Sequence, residues 1–407
     1  MQGLSVKCKF SLTFTLFLSV ICVFIFCEYL IYYPAILRCS WPELKGDREV
    51  GVSPLHALFL SDTHLLGAIK GHWFDKLRRE WQMERAFQTA LGLQKPEVVF
   101  ILGDIFDEGK WSSPKDWEDD VRRFKQIFRH PRDMELIVII GNHDIGFHHE
   151  MNWYKLERFE RVFNVTSARI VTKKGVNFVL VNSMALHGDR CPICEQVENE
   201  LYSLSQTLNC SMKSQWSGSM RRYCQEEMQK YPPSLSILLQ KSRLIRPGNI
   251  LPVFYCPILH FPLYRPNDAE CTGQDAASPD ERNQVFHERY DVLSQEASQR
   301  LLWWFQPRLI LSGHTHSACE VVHNNKHPEI SVPSFSWRNR NDPSFILGTF
   351  SPTDFQLAKC FLPEESSVVA IYCATAMVLI LLLMAHIHFS KNSMILATSL
   401  LGKHKGL

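Results

Sequence analysis

The sequence lacks a surplus of either charge, because 44 lysine and arginine residues offset 42 aspartate and glutamate residues and leave a formal charge of +2. A protein that binds nucleic acid through its phosphates normally carries a basic surplus, so we expect no nucleic-acid partner. The chain also lacks the low hydrophobicity of a disordered protein, since 45% of its residues are hydrophobic and 21% are charged. Its 407 residues suffice for two or three domains, or for one large α/β domain with membrane anchors.

Charged residues are nearly absent from two apolar runs close to the ends of the chain. Residues 10–33 contain one, Glu28, and residues 368–389 contain no Asp, Glu, Lys or Arg. Each run exceeds the ~20 residues that are needed to cross a hydrocarbon core of ~30 Å. The first run is longer than the apolar core of a signal peptide and no small-residue cleavage site follows it, so we expect a retained anchor and not a cleaved signal.

Lysines flank the two apolar runs on their outer sides. Lys7 and Lys9 lie in residues 1–9, before the first run, and further lysines lie in residues 390–407, after the second. Because positive residues next to a span favour the cytosolic side, this pattern places both termini in the cytosol. Residues 34–367, between the spans, should then form one lumenal segment.

Two further features agree with a lumenal segment in the early secretory pathway. Asn164-Val165-Thr166 and Asn209-Cys210-Ser211 are N-glycosylation sequons, which are used on the lumenal side of a membrane. Lys403 and Lys405 resemble the dilysine signal that the COPI coat reads, with a plain basic tail as the alternative. Retrieval by that coat predicts a location in the membranes of endoplasmic reticulum exit sites, the ER–Golgi intermediate compartment and the cis-Golgi.

Nine cysteines lie between residues 39 and 360, where lumenal conditions favour disulfides. Cys191-Pro192-Ile193-Cys194 has the spacing of half a zinc knuckle, but Cys210 and Cys224 do not form the second close pair that such a site needs. We therefore expect a disulfide-stapled insertion over residues 187–250 that covers part of a substrate groove, with structural zinc as the alternative. The odd count leaves one thiol unassigned.

Five short apolar runs, each typical of a buried strand, lead into polar clusters. Helical spacing over residues 72–93 and 115–129 separates the first three runs, and this alternation indicates an α/β fold with helices packed on a sheet. Because ligands bind beyond the carboxyl ends of strands in such folds, the polar clusters should meet at one place. The runs are residues 55–60, 97–102, 135–140, 251–255 and 308–312.

The polar clusters supply carboxylate, imidazole and amide donors, which suit Mn, Fe or Zn better than Ca. They contain no thiolate, so a structural zinc site is excluded. The set is too large for one ion but sufficient for two if one carboxylate bridges, and two ions ~3.5–4 Å apart can clamp the oxygens of a phosphoryl group during in-line displacement. The candidate ligands are Asp62, His64, Asp104, Asn142, His260, His314 and His316.

The order DxH, GDxxD, GNHD, a lone His and GHxH resembles the calcineurin-like metallophosphoesterase family, and these motifs span residues 62–316. The resemblance implies a β-sandwich flanked by helices, with one transmembrane helix at each end in this chain. It also implies two metal sites that share a bridging carboxylate. The implied ligands are Asp62, His64 and His316 for one ion, Asp104 as the bridge, and Asn142, His260 and His314 for the other.

The same resemblance implies roles for residues that are not ligands. His143 would stabilise or protonate the leaving oxygen, and Asp144 would orient His143. Asp107 is expected to be structural, and His148 and His149 are expected to lie on the surface. A scaffold of this fold that has lost its metals and binds a protein partner is an alternative, but such scaffolds lack several ligands and this chain lacks none.

The strings LFLSDTHLLG, GDIFDEGKW and VPSFSWRNRNDPSF, together with the two spans, resemble a membrane-anchored member of this family. That resemblance implies a phosphodiesterase with two divalent metal ions, expected to be manganese, that removes the ethanolamine-phosphate branch from the second mannose of glycosylphosphatidylinositol (GPI) anchors. GPI-anchored proteins would be its substrates, and the COPI coat and cargo receptors would be its partners through the tail. A phosphoesterase for another lumenal lipid or soluble ester, and a non-catalytic cargo-sorting protein with a structural metal site, are the alternatives.

Two arginines follow the last ligand motif in the string WRNRND. We hypothesise that Arg338 or Arg340 contacts the phosphate or glycan oxygens of the substrate, because a guanidinium forms paired hydrogen bonds with such groups. A solvated loop is the alternative.

Overall fold

The computed structural model describes residues 2–45, 53–188, 191, 193–212 and 254–404. The chain divides into a helical unit, Met1–Pro34 with Pro363–Leu407, and an α/β unit, Ala35–Leu362. Residues 213–250 of the predicted insertion, which include Cys224, lie outside the described residues, and so does Lys405 of the tail.

Strands and helices alternate along the first part of the α/β unit, as the sequence predicts. The strands are β1 Leu55–Leu60, β2 Val98–Ile101, β3 Glu135–Val138, β4 Ala168–Lys173, β5 Val176–Val181, β6 Tyr255–Leu259, β7 Ile310–Ser312, β8 Cys319–His323, β9 His327–Ser331, β10 Ser344–Phe350 and β11 Phe355–Phe361. The α-helices of the described chain are α1 Gln2–Ile25, α2 Tyr32–Leu37, α3 Trp73–Gln94, α4 Pro114–Ile127, α5 Asn142–Ile145, α6 Trp153–Phe163, α7 Cys194–Met212, α8 Pro279–Arg282, α9 Gln295–Phe305 and α10 Glu365–His404.

The described chain contains two stretches that are long and apolar enough to cross a membrane. These stretches are Phe14–Leu37 and Glu365–Phe389, and they overlap the two apolar runs of the sequence. Glu28, the charged residue of the first run, accepts a hydrogen bond from the Tyr372 hydroxyl of the second (2.6 Å). A carboxyl group in an apolar stretch needs such a partner, because an unpaired one is costly to bury.

The strands form two mixed sheets. The five-stranded sheet has the order β11-β10-β1-β2-β3, and the six-stranded sheet has the order β4-β5-β6-β7-β9-β8. In the first sheet β1, β2 and β3 run parallel, and in the second β5, β6, β7 and β9 run parallel. Parallel neighbours end at the same edge of a sheet, so residues that follow these strands are brought together.

The two sheets pack face to face around one aromatic core. Phe59 and Phe100 of the first sheet stack with their ring centroids 5.3 Å apart, and Phe178 of the second lies 4.8 Å from Phe100. All three rings are fully buried. α3 covers an outer face with Met83, Phe87 and neighbouring apolar residues. The fold is therefore the predicted arrangement of two β-layers flanked by helices, and burial on both faces explains why β1 and β2 are continuous apolar runs.

One strand begins later than the sequence predicts. The sequence predicts a strand over residues 251–255, of which 251–253 lie outside the described residues, but β6 runs over Tyr255–Leu259. A proline inside an apolar run normally predicts the end of a strand, because proline cannot donate to the hydrogen-bond ladder. Pro257 nevertheless pairs with Val179 of β5. His260 therefore follows its strand directly and not four residues later.

Three disulfides lie within the described part of the α/β unit: Cys39–Cys360, Cys191–Cys194 and Cys271–Cys319. Cys191 and Cys194 are bonded to each other, so neither sulfur is a thiolate that could bind zinc in the alternative zinc knuckle. Cys256 is a buried free thiol in β6.

We predict that the disulfide Cys39–Cys360 contributes more to stability than Cys271–Cys319. The two bonds close sequence separations of 321 and 48 residues, and the chain-entropy model gives the longer closure an advantage of about 1.5–2 kcal/mol. Unfolding of Cys39→Ser/Cys360→Ser and of Cys271→Ser/Cys319→Ser should be compared by guanidinium titration of the full chain. An equal or smaller loss of unfolding free energy in the first variant would contradict this ranking.

Candidate metal centre

The candidate ligands sit in tight loops at the carboxyl ends of the strands. Asp62 and His64 follow β1, Asp104 follows β2, and His314 and His316 follow β7. All five have left-handed backbone conformations, with φ between 45° and 70°. Asp and His adopt this region more readily than most residues. Each loop therefore turns sharply at the residue that points a donor into the site.

Glycines beside the ligands let these loops touch one another. A Cβ atom on Gly141 would collide with the backbone nitrogen of Asp104, and one on Gly313 would collide with the Ser61 hydroxyl. No larger residue fits at either place without moving a ligand loop. The glycines thus allow a close approach of one ligand loop to another.

One cluster of donors combines Asp62, His64 and His316. The Nε2 atoms of His64 and His316 lie 3.8 and 3.7 Å from Asp62 Oδ1. The two Nε2 atoms are only 3.3 Å apart. The three residues form one of the groups whose ligand atoms lie close enough together to hold an ion.

A second cluster is built around Asp104. The Nε2 atom of His260 lies 3.3 Å from Asp104 Oδ2 and 3.0 Å from Asn142 Oδ1. Asp104, His260 and His314 also form a group that could hold an ion. Asp104 Oδ2 lies 3.4 Å from His64 Nε2 as well. Asp104 thus lies between the two clusters, where a bridging carboxylate is expected.

Partners on the far side of each ring fix which nitrogen faces the site. Nδ1 of His260 donates to Leu102 O (2.8 Å), and Nε2 of His314 donates to Tyr290 O (2.9 Å). Nδ1 of His64 is hydrogen-bonded to Asp107 Oδ1 (3.1 Å). Such partners orient metal-binding imidazoles in known sites. The nitrogens left over are Nε2 of His64 and His260 and Nδ1 of His314.

Two buried atoms in the clusters have no hydrogen-bond partner. These are Asp62 Oδ1 and His314 Nδ1. A buried polar atom without a partner is costly, and nearly all such atoms in native proteins are paired. A carboxylate oxygen and an imidazole nitrogen in this position match the donor set of a divalent transition metal. The residues present therefore fit two metal ions.

The carboxylates carry negative charge despite their burial. Burial would raise the pKa of Asp62, but the nearby His64 ring (3.8 Å) and the charge of His316 lower it to about 2. The pKa of Asp104 is likewise lowered against burial, by the charges of His260 and His143. The centre is thus a concentration of negative charge that a cation can neutralise.

The imidazoles divide into two groups. Burial would lower the pKa of His64, but the hydrogen bond to Asp107 and the nearby Asp62 carboxylate raise it to about 10. The Asp104 charge likewise outweighs burial at His260 and raises its pKa to about 9. Burial lowers the pKa of His316 to about 4. Before a metal binds, the rings of His64 and His260 are therefore protonated, and the ring of His316 is neutral.

His143 and Asp144 lie at the centre, but their partners differ from those predicted. Nδ1 of His143 donates to Asp107 O (2.7 Å). The Asp144 carboxylate accepts from the backbone nitrogens of Gly141 (2.9 Å) and Phe106 (3.0 Å). Asp144 therefore shapes the loop that carries Asn142 and His143, while the Asp107 carbonyl orients the His143 ring. The family resemblance implied that orienting role for Asp144, whereas the described contacts give it to the Asp107 carbonyl.

The two arginines of the WRNRND string lie in different surroundings. The Arg338 guanidinium is 37% exposed and lies 3.5 Å from Asp107 Oδ2. Arg340 is largely buried and donates to Ser317 Oγ (2.7 Å) and Asp342 Oδ1 (3.0 Å). Arg338 thus lies beside Asp107 with its side chain partly exposed, whereas Arg340 is held by neighbouring polar groups.

Residues outside the predicted set also shape the centre. The Ser61 hydroxyl donates to Asp62 Oδ2 (2.5 Å), and Asp107 holds His64. The polar cluster at the end of β1 could have indicated Ser61. The carbonyl of Tyr290 had no signal in the sequence, because a backbone group far along the chain reaches His314 only in the fold. His149 is exposed as expected, while His148 is half-buried.

Comparison with known proteins agrees with this geometry. The model of the calcineurin-like phosphoesterase family matches residues 55–318. The chain is 60% identical over 397 residues to a protein of Danio rerio named metallophosphoesterase 1, with 97% of each chain covered. It is 56% identical to the Gallus gallus protein of that name, covering 94% of this chain and 92% of that one. The Macaca fascicularis protein of that name is 53% identical, with 98% and 96% covered. The chain therefore belongs to the calcineurin-like phosphoesterase family and is a metal-dependent phosphoesterase.

Proposed function

We propose that this enzyme is a phosphodiesterase that removes the ethanolamine-phosphate branch from the second mannose of GPI anchors. The observation that carries the proposal is where the chain leaves the α/β unit. β10 runs antiparallel to β1, so its first residue, Ser344, lies at the edge where β1 ends and the metal centre begins. Leu362 donates to Pro343 O at this same edge (2.9 Å). Leu362, the last residue of the α/β unit, therefore lies at the edge that carries the metal centre, which favours an ester that is tethered to a membrane.

The proposed location is the lumenal side of early secretory membranes. Asn164 of the first sequon is exposed at the end of α6, where a glycan can be attached. The two apolar stretches would anchor the enzyme at both ends. An anchored enzyme and an anchored substrate share a surface, which raises their effective concentration.

Each group of residues in the centre has its own proposed role in hydrolysis. Asp62, His64 and His316 would hold one ion, Asn142, His260 and His314 the other, and Asp104 would lie between them. When bound, the two ions, which we propose are manganese, neutralise charge on the phosphoryl oxygens and orient the ester for in-line displacement. Arg338 supplies a further positive charge to a non-bridging oxygen.

His143 is the proposed proton donor to the leaving oxygen. Because its Nδ1 donates to the Asp107 carbonyl, Nε2 is the nitrogen that can give a proton to that oxygen. The Asp107 carboxylate also lies 4.0 Å from this Nδ1. General acid catalysis of this kind accelerates a reaction by about 10²–10⁴-fold.

Cells that lack this protein, rescued with the wild type or with His143→Ala, test the proposal. Mass spectrometry of released GPI anchors should show that the wild type removes the ethanolamine-phosphate branch and that His143→Ala leaves it. His149→Ala is the control, because His149 is an exposed neighbour outside the centre. Retention of the branch in cells rescued with the wild-type protein would reject the GPI substrate. Removal by His143→Ala would reject the assigned role of His143.

Replacement of Arg338 by alanine should lower kcat/KM for a phosphodiester by about tenfold or more, since a charge-assisted contact to the phosphate is lost. Arg122→Ala removes an equally charged but well-exposed side chain of α4 and should leave the rate unchanged. Steady-state kinetics on both variants make the comparison. Unchanged kcat/KM in Arg338→Ala would show that the guanidinium does not contact the substrate.

Manganese affinity should increase with pH between pH 6 and 8. The pKa values of His64 and His260 are raised to about 10 and 9, so both rings are protonated before a metal binds. A ligating imidazole must be neutral, so binding releases these protons and acid opposes it. Calorimetric titrations in two buffers of different ionisation enthalpy measure the released protons. An affinity that is independent of pH would show that no proton is displaced.

A further inference from the structure

A group of exposed apolar side chains lies where α3 begins. The exposed fractions are 66% for Ile69, 69% for Trp73, 51% for Phe74 and 59% for Leu77. A single exposed apolar residue is ordinary, but a contiguous group of large ones marks a contact surface. We call these four residues the α3 apolar tip.

The α3 apolar tip projects beyond the sheet that the rest of α3 covers. The buried residues of α3 begin at Gln82 and continue through Met83 and Phe87. The two helical turns before Gln82 therefore have no buried residue. Trp73 and Leu77 are four residues apart and lie on one side of the helix. The Phe74 ring lies against Trp73, with centroids 5.7 Å apart.

The tip is attached to the loops of the metal centre. The backbone nitrogens of Ile69 and Lys70 donate to the Glu108 carboxylate (2.8 and 2.5 Å). Glu108 follows Asp107, which holds His64 in the centre. A short segment also links the tip to His64 along the chain. Whatever the tip contacts is therefore held beside the metal centre.

Positive charge and a further tryptophan lie next to the tip. The exposed Lys70 has its amine 4.9 Å from the ring centre of Trp111. Trp111 is 45% exposed. Aromatic rings beside lysines are the composition of protein surfaces that rest at the headgroup level of a bilayer.

We propose that the α3 apolar tip docks on a phospholipid bilayer. The tip and the point where the chain leaves the α/β unit, near Leu362, both lie at the edge that carries the metal centre. The apolar stretch Glu365–Phe389 begins three residues after Leu362 along the chain. Docking there holds the metal centre at the level of lipid headgroups. The inference rests on the proposed function in that it assumes a membrane-tethered substrate.

Photolabelling of the full chain in lipid nanodiscs tests the docking without any substrate. The probe is phosphatidylcholine with a diazirine in the upper acyl chain, and mass spectrometry maps the labelled peptides. We expect adducts on residues 69–77 at least about fivefold above those on the peptide with Trp303, a tryptophan of α9 with a similar exposed fraction of 68%. Label on the apolar stretches but not on residues 69–77 would overturn the docking. Label on neither would overturn both the docking and the membrane spans.

Kinetics separate the docking surface from catalysis. Trp73→Glu should lower kcat/KM for a GPI-anchored protein in nanodiscs by about tenfold, and leave hydrolysis of soluble bis(4-nitrophenyl) phosphate unchanged. Trp303→Glu is the matched control and should change neither rate. Equal loss on both substrates would assign Trp73 to folding or to catalysis. Loss on the anchored substrate without photolabelling of the tip would assign the surface to a protein partner. Either result contradicts docking on lipid.

Discussion

Negative charge buried at one edge of the two sheets is the constraint on which the rest of this structure depends. Asp62, Asp104 and Asp107 are each almost completely removed from water. A buried carboxylate is tolerated only beside a counter-charge or a metal ion. The parallel strands β1, β2 and β3 end together and therefore bring these carboxylates to one place. The aromatic core holds that edge in position, and histidines from the second sheet complete it.

The loops at this edge combine strain with dense hydrogen bonding. Left-handed backbone at a residue other than glycine costs roughly 1–3 kcal/mol and persists only where the surroundings determine it. Here the surroundings do so: the backbone nitrogen of His64 donates to Asp104 O (2.9 Å), and that of His314 donates to Asp62 Oδ2 (3.0 Å). Each ligand loop is thus held by another. The donors are preorganised, which is what the binding of two adjacent cations requires.

The sequence predicts the layered α/β fold well because apolar runs and the polar residues after them are local signals. Asp62 and Asp104 are predicted as ligands in this way, because each comes just after an apolar strand. The extent of β6 is harder to predict, because Pro257 lies inside the strand and proline normally indicates a strand end. The disulfide Cys39–Cys360 joins residues 321 positions apart, so its pairing depends on the fold. The exposure of Trp73 depends on where α3 extends beyond the sheet, and no local pattern encodes this.

The number of divalent ions bound per chain tests the central claim most directly. Native mass spectrometry of the full-length protein after titration with manganese supplies that number. The account predicts two ions for the wild type and fewer for Asp104→Asn, because Asp104 lies between the two donor clusters. One ion or none in the wild type would contradict the account, and so would two ions retained by Asp104→Asn.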